Sequence, residues 1–130
     1  MLEIKPIQSK EEQAAACAKC KIPYDAECMA YACYVDEEFL GMAQFDMRAE
    51  EGYLKNITLL PEQDDFEALF LMGRAVLNFI DLCGIHRAAA ADDAAAPRIL
   101  TAVGFTRGED GILRADMRNM FGTCDSKKKQ

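Results

Sequence analysis

The chain predicts an α+β fold: a mixed, mostly antiparallel sheet flanked by helices, in the order β-α-β-β-β-α-β-α-β-β. Three observations carry that prediction. Residues 29–47 hold two apolar runs broken by the acidic step Asp36-Glu37, the pattern of a hairpin. Phe66, Leu69, Phe70, Gly73, Val76, Leu77 and Ile80 recur at the period of an amphipathic helix, with Glu67, Arg74 and Asp81 off the stripe. The 130 residues contain no repeat and no linker, which fits one domain over 1–124 and a polar tail over 125–130.

Each element has its own signal. Leu2 to Ile7 alternates with period two and stops near Pro6. Ser9 followed by Glu12 is a capping-box pattern, opening a short helix over 10–21 that Ile22-Pro23 breaks. Met29 to Tyr34 and Phe39 to Met47 are the hairpin strands. Gly52 to Leu60 is a further strand, with Tyr53, Ile57 and Leu59 on one face, Leu54 out of phase, and Pro61 as its stop. The long helix covers about 65–83, with Gly84 behind it. Ala88 to Ala91 favours helix by propensity, but its position after a helix stop favours a returning strand. Asp92 or Asp93 then caps a helix to about Val103 that tolerates Pro97 near its start. Gly104-Phe105-Thr106 starts a strand, Glu109-Asp110-Gly111 turns, and Ile112 to Met120 returns. The three lysines in the tail read as solubilising ends.

Composition narrows the function. Fifteen basic against 22 acidic residues give a net charge of −7. That disfavours nucleic acid, whose binding rests on Lys/Arg neutralising phosphates, and an anionic membrane surface. No apolar run approaches the ~20 residues of a membrane span. The first 15 residues carry Glu3, Lys5, Lys10, Glu11 and Glu12 and lack a signal-peptide core, so the expectation is a soluble cytoplasmic protein. The six cysteines lie mostly among apolar neighbours and read as buried thiols. Zinc on Cys17, Cys20, Cys28 and Cys33, and a redox pair at Cys17-x-x-Cys20, are the disfavoured readings. With His86 the only histidine, no multi-His metal site exists, and no Gly-rich nucleotide loop is present. The Phe66, Leu69, Phe70, Leu77 stripe reads as core.

Four stretches, in order, carry a family resemblance: Tyr34 to Ala43, Ile57-Thr58-Leu59-Leu60-Pro61-Glu62, the helix ending at Gly84-Ile85, and Ile99 to Phe105. Over nearly its whole length the chain resembles a small member of the GCN5-related N-acetyltransferase (GNAT) superfamily. The N-terminal third has one helix where that family commonly has two. The resemblance implies the GNAT acyl-CoA N-acyltransferase fold and acetyl-CoA as donor. Backbone groups near Leu59 and Leu60 would bond the pantetheine arm. The next loop and helix start, with Asp65, Phe66, Glu67, Ala68, Leu69 and Phe70, would cradle the pyrophosphate.

The chain departs from the family's R/Q-x-x-G-x-G/A loop. Asp64 stands at the basic position, and Glu67 and Leu69 at the glycine-type positions. Residues 62–67 carry four carboxylates, which repel a diphosphate but also suit a helix N-terminus. Leu100 replaces the tyrosine that often protonates the departing thiolate, and Asp93 stands near a frequent Asn. Candidate general bases are Glu50, Glu51 and Asp46, and candidate proton donors are Tyr53 and Tyr31, if they line the cleft.

Three readings follow. The chain is an N-acyltransferase moving an acetyl group from acetyl-CoA to a primary amine, catalysing mostly by positioning. Alternatively it is a catalytically inactive domain of that fold, binding a ligand or protein after losing acetyl-CoA. In the third, a homodimer supplies missing walls. The acceptor would be a small-molecule or peptide amine, cationic to suit the acidic surface.

Overall fold

The computed structural model describes residues 1–118, 120 and 121. The polar tail over 125–130 and Cys124 lie outside the described residues.

One seven-stranded sheet organises the chain, in the order β1-β2-β3-β4-β5-β7-β6. Its strands are β1 (Leu2–Pro6), β2 (Met29–Val35), β3 (Glu38–Met47), β4 (Gly52–Leu59), β5 (Arg87–Ala90), β6 (Thr106–Arg107) and β7 (Leu113–Asp116). The helices are α1 (Lys10–Cys20), α2 (Phe66–Leu82) and α3 (Pro97–Val103). Element types and order agree with the sequence expectation. All neighbours are antiparallel except β4 and β5, which run parallel. The alanine run is therefore a strand: β5 pairs with β4 on one side and β7 on the other, and Ala88, Ala89 and Ala90 are buried.

The core divides at the sheet. On one face α2 packs Met72, Val76, Leu77 and Ile80 onto Leu54, Ile57 and Ala88, and α3 adds Ile99, Leu100 and Val103. On the other, α1 packs Ala16, Cys17 and Cys20 onto Ala30 and Met42. That second face also holds a polar knot. Gln44, fully buried, accepts from Gln13 Nε2 at 3.0 Å and Asp25 N–H at 3.1 Å, and donates to Pro23 O at 3.0 Å.

Several expectations need correction. Gly52 and Leu54 share the α2 face with Ile57 and Leu59, whereas Tyr53 does not and lies under Arg48 at 3.9 Å. The reason is a bulge: Phe45 opposes Leu54 while Gln44 opposes Asn56, so Lys55 is an extra residue that shifts the alternation. Neither Asp92 nor Asp93 caps α3; Ala96 holds the N-cap position without a side-chain bond. Asp92 instead meets Arg107 at 3.2 Å. The last hairpin is shorter than expected, and Phe105 is buried core rather than strand. Phe66 is 42% exposed, so the helix stripe is core only from Ala68 onward.

Candidate functional site

The site begins where two parallel strands part. β4 and β5 pair only from Gly52–Ala88 to Leu54–Ala90. Two further bonds hold the chain beyond β5: Ala91 N–H to Leu54 O at 3.0 Å and Ile57 N–H to Ala94 O at 2.8 Å. Past Ile57, β4 continues with β3 alone. Leu60 N–H donates to Leu40 O at 2.8 Å on the β3 side. Because successive strand amides alternate, the Leu59 N–H points the other way, like that of Ile57.

It points into a cleft of about 500 Å³. One wall is Thr58, Leu59 and Leu60, and the other is Ala95, Ala96 and Arg98. Cys20 and Lys21 close it from the end of α1, and Leu69 and Ile99 line its apolar side. Asn56, between the last paired residue of β4 and Ile57, keeps a buried Oδ1 without a hydrogen-bond partner among the described residues. Burial pushes the Cys20 thiol up to about 11, so it stays protonated at neutral pH.

The loop leaving β4 is a tight turn. Gln63 N–H bonds Leu60 O at 3.1 Å, with Pro61 second and Glu62 third at φ 71°, a left-handed position that favours glycine. Glu62, Gln63 and Asp64 line the cleft. Asp65 turns away from it to cap α2, accepting the Ala68 N–H at 3.0 Å.

The expected site residues thus fall in three groups. Leu59, Leu60 and Leu69 line the cleft. Phe66 and Glu67 sit exposed in the first turn of α2, while Ala68 and Phe70 pack inward, outside the cleft lining. Glu50 and Glu51 lie before β4, about 23 Å of strand from Leu59. There Glu51 meets Arg114 at 2.7 Å and Arg87 at 3.7 Å. Arg87 and Arg114, with Glu50, His86, Asp116 and Arg118, border a larger cavity of about 680 Å³. Its cations are already paired with carboxylates.

Other placements limit the chemistry. Asp46 sits at the far end of β3, opposite Tyr53. Tyr31 stacks on Phe45 at 5.5 Å within the α2 face, and neither tyrosine lines the cleft. Leu100 is buried and faces a cavity on the other side of α3, and Ile99 takes the cleft position. No metal-binding cluster occurs among the described residues. Sequence reasoning missed Cys20, Lys21 and Arg98. Their only signal was two basic residues beside helix ends, Lys21 after α1 and Arg98 after Pro97.

No protein-family model and no curated protein matches the sequence. Solved structures do match in fold. Ribosomal-protein-S18-alanine N-acetyltransferase from Escherichia coli superposes with a TM-score of 0.70 at 14% identity, over 90% of this chain and 94% of that one. An N-acetyltransferase from Staphylococcus aureus Mu50 gives 0.69 at 13% identity, over 92% and 99%. PaiA N-acetyltransferase from Thermoplasma acidophilum, solved in complex with coenzyme A, gives 0.63 at 11%, over 89% and 99%. The chain therefore has the GNAT acyltransferase fold, with one helix between β1 and β2.

Proposed function

We propose that this protein is an N-acyltransferase that takes an acetyl group from acetyl-CoA and delivers it to a primary amine. One observation carries the reading: beyond Ile57, β4 leaves β5 and turns the Leu59 peptide into an open cleft. An extended amide-bearing arm pairs with such an edge as an added strand does. The residues fit that arm. Leu59 and Leu60 offer backbone groups, and Ile99 and Leu69 offer apolar contact. The thioester, when bound, supplies the activated acyl group.

What the chain's own residues contribute is mainly position. Holding an amine against an activated acyl carbon in a partly dry cleft lowers the barrier through proximity alone. Among the cleft side chains, the Cys20 thiol, the Thr58 hydroxyl and the Lys21 ammonium are groups that could donate a proton; no tyrosine lines it. Glu62 and Asp64 at the cleft mouth favour a cationic acceptor, a small molecule or a lysine-rich peptide.

Calorimetric titration with acetyl-CoA and with free CoA, at low and at physiological salt, tests the reading. The expected result is saturable binding at micromolar Kd, followed by acetylation in an amine screen monitored by thiol release. Absence of heat and of any thermal shift at millimolar ligand would overturn it. Binding without turnover on any amine would leave the catalytically inactive, ligand-binding alternative.

A further inference from the structure

The loop after β4 carries no cation, yet the cleft does. Glu62, Gln63 and Asp64 line the cleft from that loop, and its two charged residues are both anionic. Two cations face the same space from other elements: Lys21 at the end of α1, and Arg98 in the first turn of α3. Neither has a carboxylate partner among the described ion pairs. That sets them apart from Arg87, Arg107, Arg114 and Arg118, each of which is paired. Two unpaired cations in an acidic chain of net charge −7 form an electropositive pair beside the cleft.

Their placement is specific. The Arg98 guanidinium lies over the Phe66 ring, 5.3 Å from its centre, and Phe66 is the first residue of α2. The contact joins α3 to the start of α2 and holds the guanidinium beside that helix end. Phe66, 42% exposed, stacks in turn on Phe70 at 6.3 Å with an interplanar angle of 10°. The outcome is a planar cation held against a flat aromatic ledge, next to a loop without a basic residue. A guanidinium forks onto phosphate oxygens, and an exposed ring next to it accepts a purine face.

We infer that Arg98, with Lys21 across the cleft, is the phosphate-binding element of this protein, supplied from α3 and α1 in place of the loop between β4 and α2. The inference rests on the proposed acyl-CoA reading and assigns its specificity for a nucleotide-bearing donor over a bare pantetheine thioester. Glu62 and Asp64 weaken the same diphosphate, so the charge of Arg98 decides whether the nucleotide end is held or repelled.

The test compares two ligands that share the arm and differ in phosphates, acetyl-CoA and S-acetylpantetheine, by calorimetry on wild type, Arg98→Met and Lys21→Met. Methionine keeps apolar bulk on Phe66 and removes only the charge, and both positions are exposed, so the fold persists. A circular dichroism melt verifies this. Loss of one charge-assisted contact should weaken acetyl-CoA about 10- to 100-fold in Arg98→Met and leave S-acetylpantetheine within about twofold. The salt dependence of acetyl-CoA binding should become shallower in the variant. Equal losses for both ligands, or no loss for acetyl-CoA, overturn the inference and leave the acyltransferase reading standing. Wild-type binding of S-acetylpantetheine but not acetyl-CoA also overturns it, since the carboxylates then dominate. Binding of neither ligand by wild type removes the acyltransferase reading and this inference with it.

Discussion

The Asp65 carboxylate accepts the Ala68 N–H at 3.0 Å, at the end of α2 that faces the loop from β4. Helix starts carry unpaired N–H groups and a positive dipole end, and a bound anion uses both. Here the chain's own anion uses one of them. Asp65→Asn separates the two consequences, because asparagine caps as well as aspartate but is neutral. The expected outcome is an unchanged thermal midpoint with acetyl-CoA bound about two- to tenfold more tightly, from removal of a nearby like charge. Asp65→Ala should instead cost about 1 kcal/mol of stability, measured by urea denaturation. Unchanged affinity in Asp65→Asn would show that its charge does not reach the ligand.

Glu62 has φ 71°, a conformation that disfavours a side chain, at the third position of the turn after β4. A left-handed non-glycine residue costs roughly 1–2 kcal/mol, and glycine gives back part of that in chain entropy. Glu62→Gly should therefore stabilise the fold by about 0.5–1 kcal/mol, seen as a rise in the denaturation midpoint. It also removes a cleft carboxylate, so acetyl-CoA should bind more tightly at low salt and less distinctly at high salt. If stability falls instead, the Glu62 side chain has a role in the cleft that outweighs its backbone strain.

The element order was readable from periodicity, turn residues and one strong helix. α2 announced itself because its apolar stripe repeats over four turns, and the hairpin because Asp36-Glu37 breaks two β-rich runs. Both turn residues have positive φ, 52° and 72°. The facing of β4 was not readable: the bulge at Lys55 is set by register with Gln44 and Phe45, which no local pattern encodes. For the same reason Leu54 looked irregular although it is fully buried. The cleft's strand edge at Leu59 and Leu60 was legible through the resemblance carried by Leu59-Leu60-Pro61-Glu62. Lys21 and Arg98 were not, because they come together only through packing of α1 and α3 around β4. Glu50 and Glu51 drew attention as carboxylates near a strand entrance, but chain proximity to β4 is not proximity to its far end.

Gly73 tests the seam that positions Arg98. A Cβ there would sit 2.6 Å from Val103 Cγ2 and 3.2 Å from Ile57 Cδ1, joining α2, α3 and β4 in one contact. Alanine gains about 1 kcal/mol of helix propensity over glycine. Overpacking costs about 1–3 kcal/mol and should win, because Val103 and Ile57 are both buried and have little room to shift. Gly73→Ala is expected to lower the thermal midpoint and, by displacing α3, to weaken acetyl-CoA binding. A rise in midpoint would mean that α3 moves aside at little cost.

The buried thiols set an alkaline limit. Burial raises Cys20 and Cys33 to about 11 and Cys28 to about 12, against about 8.5 in an unfolded chain. Below pH ~8.5 both states keep these protons, and the thiols add no pH dependence. Above it the unfolded chain releases protons that the folded chain holds, so stability is lost as pH rises toward about 11. Thermal midpoints should fall between pH 8.5 and 10 under reducing conditions, and Cys28→Ala should make the decline shallower. A flat profile in wild type would contradict burial of the thiols.

Gln44 connects stability to the cleft. Its amide bonds Gln13 in α1 and the Pro23–Asp25 segment behind it, so one side chain on β3 fixes both the helix and its exit. Gln44→Ala strands a buried donor on Gln13, the Asp25 N–H and the Pro23 carbonyl. Each unmet buried group costs about 1–3 kcal/mol, and water entering the vacated space offsets part of it, for a net loss of about 3 kcal/mol. Gln44→Glu keeps the acceptors but removes the donor to Pro23 and buries a charge, so it should destabilise in a pH-dependent way, least at acid pH. Because α1 ends in Cys20 and Lys21, loosening it should weaken acetyl-CoA more than a surface substitution of equal stability cost. Urea denaturation paired with calorimetry on Gln44→Ala reads both effects. A large stability loss with unchanged affinity would separate α1 from the site and remove Lys21 from its binding role.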